Sequence, residues 1–216
     1  MEKQLRIQVA EGKTVTAIRT PAKGKAAWTF VYAPGAGSNM HDPFGKYAAR
    51  ELAGHGLETV RIQFPYMEAG RRGPDRPPVL EATWRAAIDA VRTPKARLVV
   101  GGRSMGGRIA SQVVAQGIAV DALALFAYPL HAPGKPDQWR DKHLPAVGVP
   151  TLFCSGTRDA FAKPDELKSI ASNRSAAAVH VLEHADHGFA APKASGRTRD
   201  DVWADAVQAL LRWLPS

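Results

Sequence analysis

The chain has 216 residues, 45% of them hydrophobic and 23% charged, and a net charge of +9 at pH 7. This length admits one domain, residues 1–216, long enough to bury roughly 70% of its unfolded surface. The composition is that of an ordinary globular protein, with no internal repeat, no low-complexity tract and no apolar run of membrane-spanning length.

The longest apolar candidate, Ile118 to Leu130, is short and interrupted by Asp121. The basic residues are scattered. Their densest stretch, Arg61 to Arg85, also carries Pro74, Pro77 and Pro78 and reads as a loop. No nucleic-acid motif accompanies it, so the charge is read as a solvated basic surface with no nucleic-acid partner. The single cysteine, Cys154, cannot form an intrachain disulfide, which points to a reducing compartment. The strand-like N-terminus leaves no room for a signal peptide. We therefore expect a cytoplasmic protein that neither spans nor binds a membrane.

Leu5 to Val9 and Val15 to Ile18 alternate in polarity on either side of Glu11-Gly12-Lys13, which predicts an antiparallel opening pair. Trp28 to Tyr32 reads as the next strand, followed by a Gly-rich loop from Ala33 to Ser38. A helix is expected over Pro43 to Ala53, stopped by Gly54 or Gly56. Thr59 to Phe64 reads as a strand, and a Pro-rich loop then leads to a helix at Leu80 to Val91. The apolar run Ala96 to Gly101 precedes Gly102-Arg103-Ser104-Met105-Gly106, with a helical pattern over Gly107 to Val114. Ala122 to Ala127, Thr151 to Cys154 and Val179 to Leu182 read as further strands. A helix near Pro164 to Ala171 separates the last two, and an amphipathic helix, Asp200 to Trp213, closes the chain.

Strands and helices alternate from about residue 28, which predicts an α/β fold: a mostly parallel sheet with helices on both faces and antiparallel N-terminal strands. Ligands in such sheets sit beyond the carboxyl ends of the strands. Strand, Gly-x-Ser-x-Gly, helix is the order of a nucleophile elbow, a sharp turn that holds the serine out of the sheet. Ser104 is therefore the candidate nucleophile. Asp159, just past Thr151 to Cys154, is the candidate acid, with Asp165 its rival. His187, in Asp186-His187-Gly188-Phe189, is the candidate base, with His184, His180 and His131 as alternatives. Gly188 supplies the sharp turn that a protruding loop needs. The base must take the serine proton, and the carboxylate must fix the imidazole tautomer.

The oxyanion of such chemistry needs two converging N–H groups. Met105, at a helix N-terminus, supplies one. Ala36 supplies the other, with Gly37 next, in the flexible Gly35-Ala36-Gly37 loop. Tyr66, His131 and Trp139 sit in loops expected to ring the pocket, together with Gly35 and Gly37. Arg103, Arg71 and Arg72 could hold an anionic group, or Arg103 could instead pair with an acid such as Glu68. Neither phosphate-loop pattern, Gly-x-x-x-x-Gly-Lys-Ser/Thr nor Gly-x-Gly-x-x-Gly, is present, and no His-Glu-x-x-His or Cys pair supports a metal. Cys154 reads as core. No metal and no cofactor are expected.

The segments Gly35 to Met40, Phe64-Pro65-Tyr66-Met67-Glu68, Gly102 to Gly107, Tyr128 to Pro136, Gly156-Thr157-Arg158-Asp159 and Asp186 to Phe189 together resemble the α/β-hydrolase superfamily over nearly the whole chain. More narrowly, the chain resembles a small, capless, dienelactone-hydrolase-like group of bacterial proteins. The resemblance implies a Ser104–His187–Asp159 triad and an acyl-enzyme route for ester-like bonds. Two departures stand out. Pro34-Gly35 replaces the His-Gly that many relatives carry before the oxyanion position. Only about twenty residues, Tyr128 to Pro150, occupy the place where many relatives insert a lid. The expected function is a serine hydrolase of small esters or thioesters. A peptidase or amidase with the same triad and a non-catalytic interaction module are the alternatives. The oligomeric state is left open.

Overall fold

The computed structural model describes residues 1–174 and 176–215. Among these residues, eight strands form one sheet: β1 (Lys3–Ala10), β2 (Lys13–Thr20), β3 (Trp28–Ala33), β4 (Leu57–Arg61), β5 (Arg97–Arg103), β6 (Ala122–Phe126), β7 (Thr151–Gly156) and β8 (Ala177–Leu182). The order across the sheet is β1-β2-β4-β3-β5-β6-β7-β8. The β1–β2 and β2–β4 pairs are antiparallel, and every other pair is parallel. This is the mostly parallel sheet with antiparallel opening strands that the alternation and the buried apolar runs predict. β3 is buried at every position, as a central strand covered on both faces must be.

Among the described residues, six helices cover the sheet: α1 (Pro43–Gly54), α2 (Pro65–Glu68), α3 (Pro77–Val91), α4 (Met105–Ala115), α5 (Pro164–Ser172) and α6 (Arg199–Trp213). Phe44, Ala48 and Leu52 of α1 pack with Val202, Ala206 and Leu210 of α6 against one face. Trp84, Ile88, Ile109, Val113 and Leu167, from α3, α4 and α5, cover the other. Cys154 lies within the first of these cores, where burial pushes its thiol well above the ordinary range. Among the described residues, no helix is long and apolar enough to cross a membrane.

The sequence expectations need correction at two boundaries and at one unforeseen helical turn. α3 begins at Pro77, not Leu80, because prolines at the first helical positions lack only an N–H that would have no partner there. β4 is Leu57–Arg61 rather than Thr59–Phe64. Gly56, at φ 78°, turns the chain directly into the strand, and only the Ile62 N–H continues the ladder, donating to Tyr32 O at 2.9 Å. The Pro-rich loop also opens with a single helical turn, α2, which has no periodicity long enough to read.

Two glycines let β5 enter the elbow. A Cβ on Gly101 would lie 1.8 Å from Ala124 O, and one on Gly102 would lie 2.0 Å from Ala33 O. The neighbouring strands thus approach β5 more closely than any side chain permits. Between β6 and β7, residues 127–150 hold only a single 3-10 turn, Leu144–Ala146. This segment folds down onto α4: the Tyr128 hydroxyl donates to Arg140 O at 2.7 Å, and His143 Nε2 meets Ser111 Oγ at 2.7 Å.

Gly102→Ala is expected to cost about 3 kcal/mol or more through overlap and strain. Gly54→Ala has open space around its Cβ and is expected to be neutral or to gain up to about 1 kcal/mol. Urea unfolding of both variants checks this; equal midpoints would contradict the close approach. A second expectation concerns acid. Burial, and next the Arg108 charge, push the His143 imidazole down from 6.5 to about 4. The unfolded chain therefore takes up a proton that the folded chain refuses, and stability present above pH 6.5 is lost as pH falls toward about 4. His143→Gln should flatten that acid slope, and parallel slopes for the two proteins would sink the assignment.

Candidate active site

Ser104 stands between β5 and α4 with φ 50° and ψ −119°. A non-glycine residue holds such a conformation only where its surroundings impose it. Here the Ser104 N–H donates to Phe126 O at 2.9 Å, and α4 begins at the next residue. Gly106 allows α4 to cross close beneath the β3 exit, since a Cβ there would lie 2.3 Å from Ala33 O.

The β7 exit delivers Asp159 and the β8 exit delivers His187. The two loops are sewn together by backbone. Thr157 N–H donates to Leu182 O at 3.1 Å, Arg158 N–H donates to Ala185 O at 2.9 Å, and His184 N–H donates to Thr157 Oγ1 at 2.8 Å. Gly156 permits this contact, for a Cβ there would lie 2.0 Å from Ala185 O.

The result is a chain of three side chains. His187 Nδ1 lies 2.9 Å from both Asp159 oxygens, and His187 Nε2 lies 2.9 Å from Ser104 Oγ. A carboxylate only accepts, so Nδ1 carries the proton and Nε2 is left to accept from the serine hydroxyl. The Asp159 side chain is fully buried. It also accepts from Phe161 N–H at 2.8 Å and from Ser155 Oγ at 3.3 Å. Phe161 lays its ring against His187, with centroids 4.1 Å apart and the planes at 31°.

The rivals lie elsewhere. Asp165 is on the surface, paired with Lys168 at 3.1 Å. Asp186 accepts from Ala190 N–H at 2.9 Å and closes the histidine loop. His180 bonds Asp205 at 2.8 Å, and His184 is exposed. His131 is buried, with Nε2 3.2 Å from Glu166 Oε2 and Nδ1 2.9 Å from Ala132 O. It is thus not an open pocket residue: the 159–166 segment offers it acceptors and draws it inward. Trp139 lines a separate groove with Leu144, Pro145, Ile170 and Arg174.

Gly35 packs against the serine; a Cβ there would meet Ser104 Cβ at 3.4 Å. This sets the 35–37 loop beside the hydroxyl. Among the described residues, no protein oxygen accepts from the N–H of Ala36 or of Met105. A cavity of about 450 Å³ continues from Gly37 past Ser38, Asn39, Tyr66, Met67 and Arg72. The Tyr66 ring is buried there and stacks on Phe64. Its hydroxyl has no partner among the described residues, and burial, then Asp75, push it up to about 12. Arg71 is held by Asp75.

Arg103 does not pair with Glu68, which instead accepts from Arg6, Thr16 and Gln63. Its guanidinium lies 3.6 Å from Asp42 and donates to His187 O at 3.2 Å. Asp42 caps α1 through Gly45 N–H at 2.8 Å and accepts from the Tyr32 hydroxyl at 2.6 Å. Burial, and next the Asp42 charge, hold that hydroxyl protonated well above its usual range, so it stays a donor. Arg103 thus braces the histidine loop against the start of α1. Gly188 does not carry the turn: the left-handed residues of this loop are His184 at φ 63° and Phe189 at φ 58°. Phe189 can hold that conformation because its ring is buried against Phe44 and Phe126.

Residues 26–215 match the family model described as alpha/beta hydrolase domain. The chain belongs to that family. Solved structures agree with the fold. A serine hydrolase homologue from Coxiella burnetii superposes with a TM-score of 0.76 at 20% identity, over 96% of this chain and 97% of that one. A lidless serine hydrolase from Xanthomonas campestris gives 0.73 at 20% identity, over 100% and 96%. A dienelactone hydrolase from Anabaena variabilis gives 0.71 at 21% identity, over 100% and 99%. The chain is therefore of the hydrolase type, and its sheet order and strand exits are those of the α/β-hydrolase fold.

Among the described residues, no three His, Cys, Asp or Glu side chains converge as metal ligands do. Two contributors were not read from the sequence. Asp42 had a local signal, an acidic residue directly before a proline-led helix. Phe161 had none, since its role depends on where His187 arrives. Arg103→Met removes a charge-assisted hydrogen bond and an ion pair and is expected to cost about 1–3 kcal/mol. Arg72→Met, at an exposed position, should leave the thermal midpoint unchanged. Identical midpoints for the two variants would contradict the bracing role of Arg103.

Proposed function

We propose that this chain is a serine hydrolase that cleaves small carboxylic ester or thioester bonds through an acyl-enzyme on Ser104. The observation that carries the reading is the continuous hydrogen-bonded path from Ser104 Oγ through His187 to the buried Asp159, 2.9 Å at each link. Its lidless fold, shared with proteins described as serine hydrolases, supports it.

Ser104 Oγ attacks the substrate carbonyl carbon as His187 Nε2 takes the hydroxyl proton. The carbonyl π pair moves onto oxygen, where the N–H groups of Met105 and Ala36 receive it. The start of α4 adds its partial positive charge. Collapse of the intermediate restores the carbonyl and expels the alkoxide or thiolate, which takes the proton from His187. Water, deprotonated by the same imidazole, then attacks the acyl-enzyme and releases the acid and free Ser104. Asp159 stabilises the imidazolium in both halves without itself being protonated. Gly35, Gly37 and Tyr66 border the substrate in this reading, while His131 and Arg103 act from beneath the site.

Hydrolysis of p-nitrophenyl acetate tests the proposal. Wild type should turn it over, and Ser104→Ala should not. Asp159→Asn should keep the fold, because the amide oxygen can still accept from Phe161 N–H. It should lower kcat by roughly 10⁴-fold through loss of the correct tautomer. A near-wild-type rate in that variant would overturn the acid assignment, and faster cleavage of aminoacyl anilides than of the ester would replace the esterase reading with a peptidase.

A further inference from the structure

Phe161 is clamped from three sides. Its N–H donates to Asp159 Oδ1 at 2.8 Å, and its carbonyl accepts from His131 N–H at 3.0 Å. Ala162, the next residue, is fully buried. Beyond it, Lys163 N–H donates at 2.7 Å to Glu166 Oε2, the oxygen that also meets His131 Nε2. One residue thus touches both the carboxylate and the imidazole of the relay, and its ring covers the face of His187 at a tilt of 31°, with centroids 4.1 Å apart. The ring has no polar atom to offer. What it does offer is the negative face of an aromatic quadrupole, within the range at which a cation is attracted.

Resting on the hydrolase reading above, we propose that Phe161 is a positioning residue that holds the His187 ring in plane with Ser104 and Asp159 and favours its imidazolium form. The imidazolium exists only while the serine proton is in transit, so the stabilisation falls on the charged intermediate and its flanking transition states. The charged groups around His187 are Asp159 from the β7 exit, Arg103 from the β5 end, which faces the His187 carbonyl and not its ring, and Asp186 within its own loop. A change at residue 161 leaves all three in place.

The test is the pH dependence of kcat/KM for p-nitrophenyl acetate in wild type, Phe161→Leu and Phe161→Tyr, with thermal midpoints measured alongside. The neutral imidazole is the active form. Removing the aromatic face should therefore move the acidic limb to lower pH by about half a unit and lower the plateau about two- to fivefold. Phe161→Tyr should restore both. If the ring only keeps water away, Phe161→Leu will move the limb to higher or equal pH, because hydration also favours the charged form. That result, or a loss of rate with an unmoved limb that tracks the midpoint, overturns the proposal. NMR titration of the His187 ring reads the same displacement without turnover, so an inactive wild type would end the hydrolase reading while this comparison still decides the role of Phe161.

Discussion

The strained backbone of Ser104 is the constraint on which the rest of the molecule depends. A residue with a side chain at φ 50° and ψ −119° sits about 1–3 kcal/mol above its relaxed state. It persists because the sheet and α4 leave it no alternative. Gly101 and Gly102 bring β5 against β6 and β3 more closely than side chains allow, and Gly106 and Gly107 do the same for the first turn of α4, where an added Cβ would lie 2.3 Å from Ala33 O and 2.6 Å from Gly102 O. The hydroxyl then projects at the sheet edge with the helix N-terminus behind it. Burial of the surrounding apolar side chains offsets the local cost.

The same economy places the other two groups. The loops that carry Asp159 and His187 are joined by main-chain hydrogen bonds, so their relative position does not rest only on the side chains that meet there. Asp159 is fully buried, yet its oxygens are satisfied by His187, Phe161 N–H and Ser155. Arg103 serves at one remove, tying the His187 carbonyl to Asp42, the cap of α1. The elbow, the segment leading into α1 and the histidine loop are thus tied together through Arg103 and Asp42.

Much of this was legible in the sequence for local reasons. Apolar runs without alternation mark strands covered on both faces, and β3, β5, β6 and β7 follow that rule. A Gly-x-Ser-x-Gly turn between a strand and a helix has few other uses, and an acid and a histidine past later strand exits complete the pattern. The parts that escaped depend on tertiary encounter. Arg103 meets Asp42 rather than Glu68 because the elbow turns it toward α1, which no spacing reveals. His131 lies at a strand exit, as a pocket residue would, but finds its acceptors in the 159–166 segment. The sequence points to Gly188 for the sharp turn of the histidine loop, but the left-handed backbone lies elsewhere. It falls on His184 and Phe189, and at Phe189 burial of the ring in the Phe44–Phe126 cluster offsets the strain.

The central claim is that the Ser104 hydroxyl is made nucleophilic by the imidazole beside it. The most direct measurement is intact-protein mass spectrometry after treatment with a fluorophosphonate, followed by peptide mapping. The account predicts one adduct, on Ser104, forming rapidly in wild type and failing to form in a folded His187→Ala variant. No adduct on the folded wild-type chain, or equal labelling of Ser104 without the imidazole, would contradict it.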